Sequence, residues 1–229
     1  VLGGLRDVFL LKLAPNGSRI WSTYVGGNDA DYGGDNTLDP NGNIYLSGYT
    51  SSIDSITLAG YQNTNNGGTY DAFLMKFDSN GNQIWGTFFG GSGYEITGGL
   101  IIDTTNSIYL SGQTSSNTNI YHNGHQNSIQ GGNDAFLVKF SPNGNRIWST
   151  YYGGSGGENG EAVTVDNMNN VYLIGATTSN NNISFNGYQN IYNGGLNDAF
   201  LVKFNPAGVR LFGSYFGGLG NDSATKGEI

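Results

Sequence analysis

The heptapeptide "DAFLVKF" occurs at residues 134–140 and again at 198–204, and close variants stand at 71–77 ("DAFLMKF") and 7–13 ("DVFLLKL"). The four copies begin 64, 63 and 64 residues apart. So regular a spacing indicates a repeat architecture, in which each unit is one supersecondary element. Every copy places a Lys inside an otherwise apolar run, and this Lys needs an explanation of its own.

Each copy of the heptapeptide belongs to a pattern of two hairpins. A turn and a second aromatic run follow it, as in "PNGNRIWSTYYGG" at 142–154. Asn-Gly between two β-rich runs is a strong hairpin signal, because both residues tolerate positive φ. After the Gly-Gly pair and a looser stretch comes another hairpin, as in "VTVDNMNNVYLIGATTS" at 163–179. Each repeat therefore carries four short strands, which we name A, B, C and D in chain order.

The pattern places strand A of the first full repeat near 34–39, B near 43–50, C near 71–77 and D near 83–89. Strand A has the weakest pattern, because "GGDNTLD" has low β propensity. Helix is expected to be almost absent. Strand A apart, the strands predicted over the chain lie near 7–13, 20–25, 43–50, 71–77, 84–89, 108–114, 134–140, 147–152, 171–177, 200–204 and 211–216.

Four antiparallel strands in a repeat of this length are typical of a β-propeller blade, with a solenoid as the main structural alternative. The strand pattern favours the propeller, since a blade lies between two others and needs two apolar faces. In 134–140, Phe136 and Val138 share one face with Phe140, whereas Leu137 and Lys139 share the other.

Three recurring runs carry a resemblance to a known family: "GYQN…GG…DAFLVKF", "NGNRIWSTYYGGSG" and "D…NNVYLIGATTS". In their order and spacing they resemble the SBBP-type bacterial β-propeller repeat, over nearly the whole chain. The resemblance implies a propeller fold and a modular, secreted or surface-exposed bacterial protein. It implies no shared catalytic residues.

The expected fold is therefore all-β, a propeller of four-stranded antiparallel blades with about three and a half repeats in a single region over 1–229. A closed ring generally needs more repeats, so we expect an arc or an incomplete part of a larger ring. A four-bladed closure is the alternative, and it lacks one A–B hairpin of roughly 25 residues. The predicted units are a C–D half-blade at 1–27, blades at about 28–91, 92–154 and 155–218, and the start of a further blade at 219–229.

Composition excludes several partners. The formal net charge is −8 and the nine basic residues are scattered, which disfavours nucleic acid and anionic membrane surfaces. No apolar run approaches the roughly 20 residues that span a bilayer, so we expect no direct membrane insertion. The absence of Cys excludes disulfides and thiolate metal sites. Because the sequence starts without Met, we treat it as an excerpt, with flanking domains and sorting signals expected elsewhere in the polypeptide.

The repeated Lys predicts a structural ion pair, because an unpaired buried ammonium costs several kcal/mol. A ligand-binding Lys is the alternative, but a binding site is usually made once rather than in every repeat. The lysines are Lys12, Lys76, Lys139 and Lys203. Three sets of acids recur with them: Asp31, Glu95, Glu158 and Asp222, in one-to-one number, after the Gly-Gly pairs; Asp7, Asp71, Asp134 and Asp198 at the start of strand C; and Asp39, Asp103 and Asp166 at the end of strand A.

Other singled-out residues also favour structural roles. Trp21, Trp85 and Trp148 share one position of strand D, filled by Phe212 in the fourth copy, and are interpreted as core or blade-contact aromatics rather than sugar platforms. His125 stands where other repeats have Tyr, so an aromatic role is favoured over a zinc site with His122. Asp29, Asp31 and Asp35 form an acidic cluster that lacks the spacing of a Ca²⁺ loop.

No motif supports catalysis: the chain has no Cys, no phosphate-binding Gly-Lys-Ser/Thr loop and no HExxH. We therefore expect a noncatalytic module without catalytic, cofactor or metal residues. The alternative is an accessory domain, or part, of an extracellular enzyme whose catalytic residues lie outside this segment.

Function is expected on the face where the longest connections emerge, since loops on a rigid scaffold carry most binding residues. The B–C connections run nearly 20 residues and the D–A connections about eight. Their Asn, Ser and Tyr content suits a glycan or a surface or secreted protein. The competing hypothesis is that the apolar side chains seal the loops onto the blades, leaving a scaffold or spacer. The candidate ligand-binding residues are Asp29, Ile56, Tyr94, Tyr121, His122, Phe185 and Tyr192.

Overall fold

The computed structural model describes residues 3–229 and builds them from fourteen β-strands, with no helix among them. The half-blade is β1 (Val8–Leu13) and β2 (Arg19–Val25). Blade 1 is β3 (Asp31–Leu38), β4 (Ile44–Thr50), β5 (Asp71–Phe77) and β6 (Gln83–Phe89). Blade 2 is β7 (Glu95–Ile102), β8 (Ile108–Thr114), β9 (Asp134–Phe140) and β10 (Arg146–Tyr152). Blade 3 is β11 (Glu158–Val165), β12 (Val171–Thr177), β13 (Asp198–Phe204) and β14 (Arg210–Phe216).

Each complete blade is an antiparallel sheet in simple strand order, and no sheet closes on itself. The prediction of an all-β fold with four-stranded antiparallel blades in an incomplete ring is confirmed. The A strands lie side by side at the centre, β3 against β7 and β7 against β11. The predicted division of 1–229 into units stays a prediction, and residues 1 and 2 lie outside the described part. Within residues 3–229 no helix has the length and apolarity to span a bilayer.

The predicted B, C and D strands agree with the structure within two residues, but strand A begins earlier than predicted. β3 starts at Asp31 rather than near 34 because the Asp31 backbone N–H donates to Arg6 O at 2.8 Å, which links the new blade to the preceding one. In β7 the register shifts between Thr97 and Leu100, so a bulge absorbs the two glycines that made this stretch a poor strand by propensity. A Cβ on Gly98 would collide with Gly160 O of the next blade, so this close approach requires glycine.

Both faces of each blade are apolar, as the alternation predicts. Phe136 and Val138 of β9 pack in one core with Leu74 of blade 1, whereas Leu137 packs on the other side in a core shared with Phe200 of blade 3. All are buried. Fully burying such a side chain contributes about 1.5–3 kcal/mol, so a blade gains its stability beside its neighbours rather than alone.

The repeated Lys forms the expected ion pair in every complete blade, with the acid at the end of strand A. The Nζ–Oδ2 distances are 3.5 Å for Lys76–Asp39, 3.5 Å for Lys139–Asp103 and 3.0 Å for Lys203–Asp166. Each ammonium also lies 4.7–4.9 Å from the ring centroid of a strand-B tyrosine, which adds a cation–π contact. These tyrosines are Tyr45, Tyr109 and Tyr172.

Of the three sets of acids offered as partners of the Lys, the set equal to the lysines in number is not the one that pairs with them. The acids after the Gly-Gly pairs match the lysines one to one, yet none of them pairs with a Lys among the described residues. They stand at the opposite end of strand A, where Glu95 accepts hydrogen bonds from Thr114 and the Gly91 N–H. The acids at the start of strand C are also too far along the strand. Within residues 3–229, Lys12 of the half-blade has no strand A beside it, and it donates to Ser79 O at 2.8 Å.

The tryptophans join one blade to the next at three junctions, and the Lys does so at two of them. Lys139 Nζ and Trp148 Nε1 both donate to Pro206 O, at 3.5 and 3.0 Å, in the C–D turn of the following blade. At the preceding junction Trp85 Nε1 donates to Pro142 O at 3.1 Å. Gly208 completes this turn with a φ of 81°, and a Cβ there would press on the Trp148 indole. Burial of Trp85 and Trp148 confirms their predicted role as core and blade-contact aromatics.

We expect Lys139→Met to lower the free energy of unfolding by about 3 kcal/mol, because it leaves the buried Asp103 carboxylate without its cation. Urea unfolding would measure the loss. Lys12→Met is the matched control, since the same residue of the half-blade has no carboxylate partner; it should cost about 1 kcal/mol or less. Equal losses in the two variants would show that the ion pair does not stabilise the blade.

Candidate functional site

The long connections share one face of the molecule. The B–C connections cover 51–70, 115–133 and 178–197. The D–A connections have five residues rather than the predicted eight, because strand A begins earlier. Hydrogen bonds join the two kinds of connection, for example Asn28 N to Asp54 Oδ1 at 2.8 Å and Ser155 N to Asn181 Oδ1 at 2.9 Å.

Each B–C connection folds back along strand D of its own blade. His122 and Ser149 exchange backbone hydrogen bonds of 3.0 and 2.8 Å, and Phe185 and Gly213 exchange bonds of 2.9 and 2.8 Å at the equivalent place. Leu58 pairs in the same way with Gly86. The connections are therefore held as additional edge segments of the sheets, which fixes the side chains they present.

Ile56 cannot contact a ligand, which corrects its place among the candidate residues. Its side chain is 0% exposed, and the equivalent Ile120 and Ile183 are buried to the same extent. All three seal a connection onto its blade, as the competing hypothesis held. The sequence obscured this role because "SIT", "NIY" and "NIS" differ on either side of the isoleucine.

The repeated Gln of "GYQN" is architectural, as the repetition suggested. Gln62 Nε2 donates to Asp71 Oδ2 at 3.1 Å, and Gln126 Nε2 donates to Asp134 Oδ2 at 2.6 Å. Glu95 lies across Gly90 from Asp71, so two carboxyl groups meet at each blade junction. Burial raises the pKa of Asp71 to about 7, and the charge of Glu95 adds to this effect. Hydrogen bonds from Asn66 and Gln62 oppose it.

The remaining predicted binding residues are spread over three blades and are not brought together. Tyr121 is 41% exposed, and His122 is half-buried beside it. Phe185 lies beneath the Arg210 guanidinium at 4.8 Å. Tyr192 packs edge-on against Tyr215 with ring centroids 6.2 Å apart. Asp29 and Tyr94 are half-buried in separate D–A connections.

A groove between blades 2 and 3 brings polar and charged side chains together on this face. Its volume is about 390 Å³. One wall belongs to the B–C connection of blade 2, and the other to Asn182 and Arg210 of blade 3. The lining residues are Tyr121, His125, Gln126, Asn127, Gln130, Asn182 and Arg210.

Exchanges at two repeated positions distinguish this junction from the one before it, because His125 replaces Tyr61 and Phe185 replaces His122. Between blades 1 and 2 the Tyr61 ring covers the Arg146 guanidinium, 4.6 Å from its centroid. The equivalent of Tyr61 in the next repeat is His125, whose ring packs instead against Phe204 at 6.0 Å. The second arginine, Arg210, stacks on Phe185 of its own blade and lines the groove.

Arg210 brings positive charge to the groove without an acid beside it. Its Nη1 donates to Asn182 O at 3.1 Å, and its buried Nε has no hydrogen-bond partner. Every ion pair formed within residues 3–229 involves a Lys, so neither Arg210 nor Arg146 is neutralised there by an acid. Burial of the imidazole is the main cause of a lowered pKa of His125, and the Arg210 charge adds to it. His125 is therefore neutral at pH 7.

Residues 20–54, which include β2, β3 and β4, match the sequence model of a β-propeller repeat family, SBBP. The match covers these 35 residues of the 229-residue chain. The resemblance predicted from the recurring runs is thereby confirmed here, and the same strand pattern recurs in the later blades. The chain is also 24% identical over 200 residues to an uncharacterized WD repeat-containing protein, L264, of Acanthamoeba polyphaga mimivirus. That alignment covers 74% of this chain and 14% of the relative, so the chain spans about a seventh of the relative's length.

The acidic cluster predicted near the start of blade 1 does not assemble. Asp31 is buried and accepts hydrogen bonds from Thr50 and Ser52, whereas Asp35 Oδ2 accepts from the Leu100 N–H of blade 2 at 3.2 Å. Within residues 3–229 no three His, Asp or Glu side chains are grouped to hold a metal ion. The side chain of His122 contacts Asn123, while His125 lines the groove.

Arg210 and the amides of Asn127, Gln130 and Asn182 line the groove, although the sequence patterns do not predict them as binding residues. The only signal for the groove was the exchange of Tyr for His at 125, which was interpreted as a neutral substitution of one aromatic residue for another. What it does to Arg210 depends on the packing between two blades, which no single repeat encodes.

A tyrosine cluster on the same face was also missed. Tyr32 and Tyr49 stack with centroids 4.8 Å apart, and Tyr70 meets them edge-on at 5.6 and 5.3 Å. The Arg6 guanidinium lies 4.7 Å from the Tyr32 centroid. The cluster belongs to blade 1 alone, because the equivalent residues of blade 2 are Ile96, Gln113 and Asn133.

The carboxyl pairs at the blade junctions predict that stability falls as pH rises from 4.5 to 8. A folded-state pKa of about 7 for Asp71, and about 6 for Asp134, means that the folded chain binds more protons than the unfolded chain in this window. The free energy of unfolding therefore declines, by up to about 1.4 kcal/mol per pH unit for each group. Asp71→Asn should flatten the decline measured by urea unfolding.

Asp78→Asn is the control for this titration. Hydrogen bonds from Asn82 lower the pKa of the Asp78 carboxyl, so it is ionised throughout the window and its replacement should leave the slope unchanged. Parallel slopes for wild type and Asp71→Asn would contradict the assignment.

Proposed function

We propose that this chain is a noncatalytic scaffold module of a secreted or cell-surface bacterial protein, and that the groove between blades 2 and 3 binds a carboxylate-bearing saccharide. The observation that carries the proposal is Arg210, a groove-lining guanidinium that no acidic side chain of the described residues neutralises. The fold supports the scaffold role, because blades joined through buried faces form a rigid support for the connections.

The lining of the groove suits an acidic sugar better than an apolar ligand. A guanidinium binds a carboxylate through two parallel hydrogen bonds. The amides of Asn127 and Gln130 can donate to and accept from sugar hydroxyls. The exposed ring of Tyr121 offers an apolar surface to the face of a pyranose.

The net charge of −8 opposes an acidic ligand at long range, so binding depends on contacts inside the groove. At physiological ionic strength screening acts over about 8 Å, which limits the repulsion. We therefore expect modest affinity, as is usual when few groups meet an open surface.

The groove lining also supports a noncatalytic role. It contains no Asp or Glu, and its one ionisable base, His125, has no neighbouring carboxylate in the lining to orient it. Glycoside hydrolysis by the usual route needs a pair of carboxyl groups on either side of the scissile bond. The proposed location at a bacterial cell surface is supported by the habitat that the resemblance to SBBP-type repeats implies.

Isothermal titration with oligogalacturonate tests the proposal. Wild type should bind it, and Arg210→Gln should weaken binding at least about tenfold by removing the charge-assisted hydrogen bonds. Gln is a tolerated residue here, since Gln83 fills the equivalent position of blade 1 and donates to Ile56 O at 3.0 Å. His125→Tyr should also weaken binding by covering the arginine as Tyr61 does.

Two controls separate the carboxylate from the sugar and the groove from the rest of the face. Fully methyl-esterified oligogalacturonate should bind at least tenfold more weakly than the free acid. Arg146→Gln makes the same change at the covered junction and should leave binding unaltered. Undiminished binding by Arg210→Gln, or equal binding of the esterified sugar, would remove the groove as a carboxylate site.

A further inference from the structure

A second depression lies on the long-connection face, over the start of β11 and the end of β12 in blade 3. Its volume is about 400 Å³, and its lining shares no residue with that of the groove. Sites for small molecules usually measure roughly 300–1,000 Å³, so the depression has room for a sugar unit. Asn133, at the end of the B–C connection of blade 2, lines it from the neighbouring blade.

Exchanges at repeated positions leave this place open in blade 3. In blade 1 it is filled by the tyrosine cluster, whose stacked pair consists of opposite residues of β3 and β4. The equivalent pair in β11 and β12 is Asn159 and Ala176. Tyr70, the third member of the cluster, corresponds to Asn197. Smaller side chains therefore stand where three rings pack together in blade 1, and the space that they leave is accessible to a ligand.

The asparagines around the depression have their donors occupied and their acceptors free. Asn133 Nδ2 donates to Glu158 O at 3.0 Å, and Asn197 Nδ2 donates to Asp222 O at 2.6 Å. Neither of the two side-chain oxygens accepts a hydrogen bond within residues 3–229. Because an amide oxygen can only accept, both are available to a ligand that donates.

Glu161 adds a negative charge to these acceptors. The equivalent residues of the other complete blades are Gly34 and Gly98, so the carboxylate is specific to blade 3. Glu161 Oε1 accepts from Asn159 Nδ2 at 2.5 Å, and among the described residues no Lys or Arg pairs with it. The other acid of the lining, Glu158, is buried and already accepts hydrogen bonds from its own blade. The lining contains no basic side chain, so a complementary ligand brings hydrogen-bond donors and a positive charge.

We propose that this depression binds an amino sugar through its protonated amine. An ammonium group is a compact positive charge with three N–H donors, which suits the carboxylate of Glu161 and the free side-chain oxygen of Asn159. The sugar hydroxyls beside the amine donate to the free oxygens of Asn133 and Asn197. The net charge of −8 favours such a ligand at long range, whereas it opposes an acidic one. The site shares no residue with the groove and does not depend on the function proposed for it.

Isothermal titration with the trisaccharide of glucosamine tests the proposal, at a mildly acid pH that keeps the amines protonated. Wild type should bind it, and Glu161→Gln should weaken binding at least about tenfold by removing the charge of the carboxylate. A Gln side chain can still accept from Asn159, so the melting temperature should stay as in wild type. Ala176→Gln should also weaken binding at least about tenfold, because the longer side chain fills the depression. Blade 2 has Gln113 at this position, so the fold accepts the change.

Two controls separate this site from a general attraction of cations to an acidic protein. The N-acetylated trisaccharide, which has no charged amine, should bind at least about tenfold more weakly. Asp54→Asn removes one negative charge from an exposed residue of the same face in blade 1, and it should leave binding unaltered. The inference is overturned if wild type does not bind the amine, if the N-acetylated sugar binds equally, or if Glu161→Gln weakens binding no more than Asp54→Asn does.

Discussion

The carbonyl oxygen of the second residue of the C–D turn joins each complete blade to the blade before it. At Pro206 this oxygen accepts hydrogen bonds from both Lys139 and Trp148 of the preceding blade, and at Ser79 it accepts from Lys12 and Trp21. Lys139 also pairs with Asp103, the acid that ends strand A of its own blade, so its ammonium joins strands A and C of blade 2 to the sheet of blade 3. A sheet with two apolar faces cannot stand alone in water, and this contact fixes where each sheet meets the next.

Much of this architecture could be predicted from the sequence, because strand alternation and hairpin turns are local signals. The two faces of "DAFLVKF" and the burial of Trp148 follow from them directly. The partner of the Lys could not be found by counting acids. The acids that pair with the lysines are one fewer than the lysines, because the half-blade has no such acid. Strand A began early because a backbone bond to the preceding blade outweighs the poor propensity of a Gly-Gly bulge.

The candidate site was less predictable, because it arises between repeats rather than within one. Ile56 is predicted as a binding residue, yet it is buried like the isoleucines at the same position of the other two connections. Arg210 was overlooked, since whether an arginine is covered depends on a residue 85 positions away in the preceding blade, His125. In this chain the repeated residues build the blades, and exchanges at repeated positions, such as His125 for Tyr, open surfaces for binding.

Amide hydrogen exchange in Lys139→Met tests most directly whether this Lys stabilises the next blade as well as its own. The N–H groups of Asn205 and Gly208, which close the C–D turn of blade 3, should lose protection together with the A–B turn of blade 2. The equivalent turn of blade 1, at Asp78 and Gly81, should keep its protection. If amide protection is lost only within blade 2, and the turn at 205–209 exchanges as in wild type, then Lys139 does not join the two blades.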